Sequence, residues 1–267
     1  MVSMNCKICN NKTNILCQLP ILSNKYLVNY FQCPTCQFIQ TEKPYWLDEA
    51  YSDAAITALD VGAVTRNLEI SNLCERILKN VFSNYKECLF LDYGGATGMF
   101  TRLMRDKGFQ FYHSDKYAQN VYAKKFELED IKDTSKIAVV TSFEVFEHLE
   151  NPIETIQEMF KYANTILFST YLQPENLENW WYFTLETGQH IALFHKNTFL
   201  KISAILGVRF FTNGTNYHIL TKENWDKRVE SYLKLPFYQK IWYKLFPQTS
   251  NVFIQKDYQQ IKDSLNG

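Results

Sequence analysis

Two pairs of cysteines, Cys6-x-x-Cys9 and Cys33-x-x-Cys36, stand on either side of a 23-residue insert. Four thiolates in two such knuckles match the tetrahedral donor set of a structural zinc ion. The insert is longer than the ~15–20 residues common in this pattern, which leaves room for an extra hairpin strand over Tyr26–Gln32. A segment this short buries too little apolar surface to fold alone. Zinc binding, on the order of 10–16 kcal/mol in small modules, would offset that deficit. Cys17, Cys74 and Cys88 have no partner at ligand spacing and are expected to be inert buried thiols.

A second chemical stretch runs from Cys88 to Phe100, C-L-F-L-D-Y-G-G-A-T-G-M-F. An apolar run ends in an acid, a glycine-rich turn follows, and a helical pattern begins directly after it. That order predicts a buried strand leading through a nucleoside-binding turn into a helix. A nicotinamide turn would need G-x-G-x-x-G, but Ala96 and Met99 stand at its second and third glycine positions. Met99 is too large for the close helix–strand packing that the third glycine permits.

Proton-transfer candidates come later in the chain. Glu144, Glu147 and His148 follow one predicted strand, and His190 follows the next. Imidazole and carboxylate side chains are the usual general bases near neutral pH. Trp180, Trp181 and Tyr182 present flat faces on which a sugar or base could stack, or else they close the core. Asp60 and Arg66 begin a helix, where they either cap it as an ion pair or meet a charged ligand group.

The elements that must position these residues alternate as in a doubly wound sheet. Leu68, Ile70, Leu73, Ile77, Leu78 and Val81 recur at helical spacing within Asp60–Ser83. Strands are predicted at 88–93, 110–114, 126–128, 137–142 and 165–170, with helices at 101–107, 152–163 and 196–206. Asp115 closes the second strand, 23 residues after Asp92, at the place where this architecture sets a carboxylate on ribose hydroxyls. Two late strands are joined through Asn213-Gly214, a hairpin signal. Trp225 to Lys262 carries seven Lys/Arg against three Asp/Glu, and Pro236 and Pro247 should break it into short helices.

The 267 residues hold 28 basic and 28 acidic side chains, so no global field draws the chain to a polyanion. DNA is not expected as a partner. The start, M-V-S-M-N-C-K-I-C, lacks the apolar run of a signal peptide. No run reaches the roughly 18 apolar residues of a membrane span. A cytoplasmic protein is the expectation, with homodimerisation left open.

The turn from Asp92 to Gly98, D-x-G-x-A-x-G, resembles the acidic turn of class I S-adenosylmethionine-dependent methyltransferases, with Ala96 in place of the middle glycine. The closing hairpin and Val139 to Pro152, V-V-T-S-F-E-V-F-E-H-L-E-N-P, resemble the same family. The resemblance covers about 66–221. It implies an α/β, Rossmann-like seven-stranded sheet with the last strand antiparallel, a small zinc-ribbon-like module before it and C-terminal helices after it. The division is 1–45, 46–223 and 224–267.

For S-adenosylmethionine the resemblance implies contacts from Asp92, Gly94, Gly95, Ala96, Gly98 and Met99 at the turn, and from Asp115 with Lys116 at the ribose. Glu129 or Asp130 would meet the adenine, and Ser142 and Phe143 flank the site. His148, His190 and Glu147 are the catalytic candidates. Together with the cysteine module, the chain is similar to sugar and small-molecule methyltransferases that carry a zinc domain. In addition, Glu144-x-x-Glu147-His148 with the later His190 resembles the divalent-cation site of small-RNA 2′-O-methyltransferases and ubiquinone-pathway O-methyltransferases. A small-molecule acceptor is therefore expected, with RNA as the alternative and a non-catalytic cofactor-binding module as the third reading.

Overall fold

A computed structural model describes residues 4–52, 58–234 and 253–266. The N-terminal segment folds as an antiparallel meander of β1 (Asn14–Ile21), β2 (Tyr26–Gln32) and β3 (Ile39–Thr41). The long insert between the cysteine pairs thus becomes a hairpin, and the strand expected at Tyr26–Gln32 forms over those residues. A short helix, α1 (Leu47–Ser52), follows.

The larger unit begins with α2 (Ala63–Val81) and then builds a sheet. Its elements are β4 (Leu89–Tyr93), α3 (Met99–Asp106), β5 (Gln110–Ser114), β6 (Ile137–Ser142), α4 (Pro152–Met159) and β7 (Thr165–Ser169). After β8 (Ala192–Leu193) come α5 (Lys196–Leu206), β9 (Arg209–Thr212) and β10 (Tyr217–Thr221). Two further helices, α6 (Val229–Leu233) and α7 (Ile254–Asn266), complete the described residues. No helix among them is long and apolar enough to cross a membrane. Pro236 and Pro247 lie outside the described residues.

Among the described residues, six strands form the main sheet in the order β5-β4-β6-β7-β10-β9. The first four are parallel, and β10 runs antiparallel to both β7 and β9. The expectation of seven strands is corrected here. The third, 126–128, shrinks to one bridge between His113 and Glu127. Glu127 N–H is spent on Asp130 Oδ2, 3.0 Å away, and the chain turns into a 3-10 helix at Leu128–Asp130. Three residues are too few to compete with that local cap.

Side chains alternate across the strands as the pleat requires. Leu91, Val140, Ile166, Phe168 and Leu220 pack on one face against α4 and α5. Phe90, Phe111, Val139, Leu167 and Ile219 pack on the other, against α2, α3 and α6. Cys6, Cys33, Cys36 and Phe38 belong to the first of these cores. A smaller core joins Ile21, Val28, Tyr30, Ile39 and Trp46 to Tyr182, Phe183 and Ile191. The meander is therefore continuous with the larger unit, since β3 pairs with β8 through Ile39–Leu193 and Gln40–Ala192. Of the three lone cysteines only Cys74 is buried; Cys17 and Cys88 are half-exposed, on a sheet-edge strand and just ahead of β4.

Candidate active site

The chain crosses from one side of β4 to the other between β5 and β6, which opens a crevice at the carboxyl ends of β4 and β6. Ligands of open α/β sheets bind at such a switch point. The glycine turn forms one wall. Gly98 holds φ +80°, and a Cβ there would stand 2.4 Å from Asn120 Oδ1. At Gly95 a Cβ would meet Asp92 Oδ2 at 2.5 Å, so both positions require the bare backbone. Ala96 also lies in the left-handed region, at φ +47°. Its strain is held by two contacts: its N–H donates to Asp115 Oδ2 at 2.9 Å, and its carbonyl accepts from His113 Nε2 at 2.9 Å.

Asp115 Oδ1 accepts two more amides, from Tyr117 and Ala118, at 2.8 and 2.7 Å. The carboxylate is thus the organiser of both loops that meet at the crevice. Asp92 lies beneath the turn rather than on its surface. It accepts hydroxyls from Thr101 at 3.0 Å and Thr141 at 3.2 Å, and burial pushes its pKa up to about 6. Next to the turn is a cleft of about 250 Å³ lined by Ser114, Asp115, Asn120, Glu127 and Glu129. Lys116 sits over the Tyr117 ring. Ser142 is buried, and Phe143 packs edge-on against Phe100. Met99 starts α3 directly after Gly98.

The second wall is the loop after β6. Glu144 takes φ +57°, unusual for a residue with a Cβ. Ser169 secures it twice: its Oγ accepts from the Glu144 N–H at 2.8 Å and donates to Oε1. Arg66 Nε lies 3.6 Å from Glu144 Oε2, while its Nη2 pairs with Asp60 at 2.7 Å. Burial, with Glu147 beside it, raises the Glu144 pKa to about 7.

Glu147 is fully buried, and both carboxylate oxygens lack a hydrogen-bond partner of ordinary geometry. Desolvation raises its pKa to about 7, offset in part by the nearby Tyr182 and Thr170 hydroxyls. Ligand-capable atoms of Glu147, His148 and His190 lie within 4.8 Å of one another. Glu144 is not brought into this group, because Ser169 and Arg66 hold it.

Both histidines are oriented by the backbone. His148 Nδ1 lies 3.0 Å from the Gln189 carbonyl, and His190 Nδ1 lies 2.7 Å from the Tyr182 carbonyl. A carbonyl only accepts, so each Nδ1 carries the proton and each Nε2 carries a lone pair. Burial lowers both pKa values, which keeps the rings neutral. A base or a cation ligand needs that tautomer.

Sequence reasoning missed Tyr51, whose hydroxyl is 3.0 Å from His148 Nδ1, and Ser169 and Thr170. Tyr51 ends the stretch T-E-K-P-Y-W-L-D-E-A-Y after the second cysteine pair, where no spacing marks it. Of the three neighbouring aromatics, Trp181 is 63% exposed and meets the Tyr171 ring edge-on, Trp180 is half-buried, and Tyr182 is buried. The surface and core readings of this segment are thus both realised, one residue apart.

In the N-terminal segment the cysteine sulfurs converge. Cys6–Cys36 and Cys9–Cys33 Sγ separations are 3.5 Å, and Cys9–Cys36 is 3.7 Å. Four sulfurs at ~2.3 Å from one centre would stand roughly 3.8 Å apart, so the cluster fits a tetrahedral zinc ion. Ile8 N–H and Asn11 Nδ2 each donate to a sulfur at 3.4 Å, which suits thiolates.

A family model described as a methyltransferase domain matches residues 65–204. No curated protein matches the chain. Among solved structures, the plantazolicin methyltransferase BpumL, in complex with a pentazolic desmethylPZN analogue and SAH, is 12% identical with a TM-score of 0.48. That match covers 77% of this chain and 91% of BpumL. An O-methyltransferase family protein from Burkholderia thailandensis is 11% identical with a TM-score of 0.47, over 68% of this chain and 64% of that one. TnmH is 11% identical with a TM-score of 0.45, and the match spans 66% of this chain but 61% of TnmH.

Proposed function

The chain belongs to the methyltransferase-domain family, and on that premise we propose that this enzyme moves the methyl group of S-adenosylmethionine to a hydroxyl or carbon of a small molecule, a sugar or nucleotide-sugar. One observation carries the acceptor chemistry: two neutral, backbone-oriented histidines beside a buried, unpaired Glu147 at the mouth of the crevice. A thiol or amine acceptor would need no such base, but a hydroxyl or carbon acid does.

The donor, when bound, supplies an electrophilic methyl carbon. What this chain contributes is placement and proton removal. In this reading the turn from Gly94 to Gly98 and the cleft at Asp115 and Glu129 hold the nucleoside part, with Asp92 fixing the turn from below. Phe143 closes the apolar side. His148 Nε2 or His190 Nε2 takes the acceptor proton, and Glu147 stabilises the imidazolium that forms. Trp181 and Tyr171 offer the stacking surface for the acceptor.

A second reading of the same atoms is a divalent-cation site with Glu147, His148 and His190 as ligands. Such an ion would lower the pKa of a coordinated acceptor hydroxyl. A nitrogen that ligates cannot also be the base, so the two versions exclude each other at that atom. That pattern also keeps an RNA acceptor as the alternative, against which stands a net charge of zero. We assign zinc to Cys6, Cys9, Cys33 and Cys36, and the module to 1–45 ahead of the transfer unit at 46–223.

Labelled S-adenosylmethionine incubated with fractionated extract tests the acceptor. Label in the small-molecule pool supports the proposal, and label in RNA or protein overturns it. Full activity after removal of weakly held divalent ions would leave the histidine base as the mechanism.

A further inference from the structure

The catalytic candidates are not held by the methyltransferase unit alone. The loop from β7 to β8, which carries His190, is bonded along its length to the N-terminal segment. Leu22 N–H donates to the Leu185 carbonyl at 2.9 Å, Trp46 Nε1 to the Gly188 carbonyl at 2.8 Å, and Thr41 N–H to the Ile191 carbonyl at 3.2 Å. Gln189 Nε2 donates to the Ala50 carbonyl of α1 at 2.8 Å. The next residue, Tyr51, places its hydroxyl 3.0 Å from His148 Nδ1. The Gln189 carbonyl fixes the proton on that nitrogen, so the tyrosine oxygen accepts a share of the same N–H. On the far side, Ile191 N–H donates to the Glu147 carbonyl at 2.9 Å, which closes the circuit. At Gly188 there is no slack: a Cβ would stand 2.8 Å from Ile21 Cδ1.

We propose that the N-terminal segment, the cysteine module together with the α1 helix that follows it, is a working part of the active site, with Tyr51 as a positioning residue that, together with the Gln189–Ala50 and Trp46–Gly188 bonds, sets the orientation of His148 and the loop bearing His190. This rests on the reading of Glu147, His148 and His190 as the catalytic cluster. An imidazole whose Nδ1–H is held on two oxygens has one ring orientation and one free lone pair, which is what a base or ligand requires. The module therefore acts on chemistry through α1 rather than only by adding core.

The test uses full-length, zinc-loaded protein labelled with nitrogen-15 at histidine, as wild type, Tyr51→Phe and Gln189→Leu. Long-range proton–nitrogen correlation spectra read the tautomer of each ring, and manganese(II) titration reads the affinity of the cluster. In wild type, His148 and His190 should both be Nδ1–H tautomers. Tyr51→Phe should broaden or mix the His148 tautomer and weaken manganese binding about 10-fold, the size expected for losing an outer partner of a ligand. Gln189→Leu should disturb His148 and His190 together. His218, held between Thr212 Oγ1 and the Thr170 carbonyl, is the internal control and should not change. Unchanged His148 and His190 tautomers in both variants, or an Nε2–H tautomer of His148 in wild type, would overturn the proposal. If wild type takes up no manganese, the cation reading fails by itself, and the tautomers still decide the positioning role.

Discussion

Asp115 Oδ2 accepts the Ala96 amide at 2.9 Å and so straps the glycine turn to the loop after β5. The same carboxylate caps Tyr117 and Ala118. One side chain therefore sets the spacing of two backbone segments between which a nucleoside would lie.

Asp115→Ala removes an acceptor from three amides that water can partly satisfy. It should cost about 1–3 kcal/mol of stability, the range for unsatisfied backbone groups. The cofactor-induced rise in Tm should vanish, because wild type at 100 times Kd gains about 2.7 kcal/mol. Thermal denaturation with and without S-adenosylmethionine checks both. A variant that still shows the full cofactor shift would mean that Asp115 orders nothing the cofactor needs.

Asp92 should make the protein less stable as the pH rises. Its folded pKa of about 6 lies above the ordinary aspartate value, so the folded state holds the proton more tightly. That contribution is complete below pH ~4 and is lost as the pH climbs through 6. Two pKa units correspond to about 3 kcal/mol. Asp92→Asn, which keeps one oxygen for one of the two threonine hydroxyls and turns an amide donor toward the other hydroxyl oxygen, should gain on wild type by up to that amount between pH 4 and pH 7. Urea denaturation at several pH values measures the difference; a gap that stays constant across the range would refute the argument.

The sheet was readable because its signals are local. β5, β6 and α5 carry periodic apolar patterns closed by an acid, a serine or a glycine, and they form over the expected residues. The acidic glycine turn and the paired cysteines are likewise sequence-adjacent constellations. What was not readable depends on residues far apart in sequence. Tyr51 reaches His148 across 97 positions, and Thr198 donates to the Cys36 carbonyl across 162. The failed third strand has the opposite cause: a three-residue stretch, Phe126-Glu127-Leu128, lost to the Glu127–Asp130 cap within the same segment.

The Thr198–Cys36 bond, 2.8 Å long and buried, ties the second cysteine knuckle to the first turn of α5. Cys6, Cys33 and Cys36 are buried in a core shared with β4, β6 and β7, whereas Cys9 is half-exposed. Stripping the module with a strong chelator should therefore lower the Tm of the whole protein rather than release a tail. Cys36→Ser should be the more damaging substitution and Cys9→Ser the milder. Two separate transitions in calorimetry after chelation, with the upper one unmoved, would show that the cluster does not support the main core.

Glu147 is the clearest case of stability given up for a site. A carboxyl with no hydrogen-bond partner in a fully buried position is costly, and a neutral amide of the same shape avoids the charge. Glu147→Gln should fold and, above pH 7, match or exceed wild-type stability, by up to about 3 kcal/mol, because burial outweighs the nearby hydroxyls and lifts the Glu147 pKa to about 7. Methyl transfer should nevertheless fall by about 10²-fold or more, because the histidines lose the carboxylate that stabilises their protonated or cation-bound form. Paired Tm and single-turnover measurements separate the two effects. If Glu147→Gln were instead unstable and active, the carboxylate would be a core support, and the cluster would lose its claim to the chemistry.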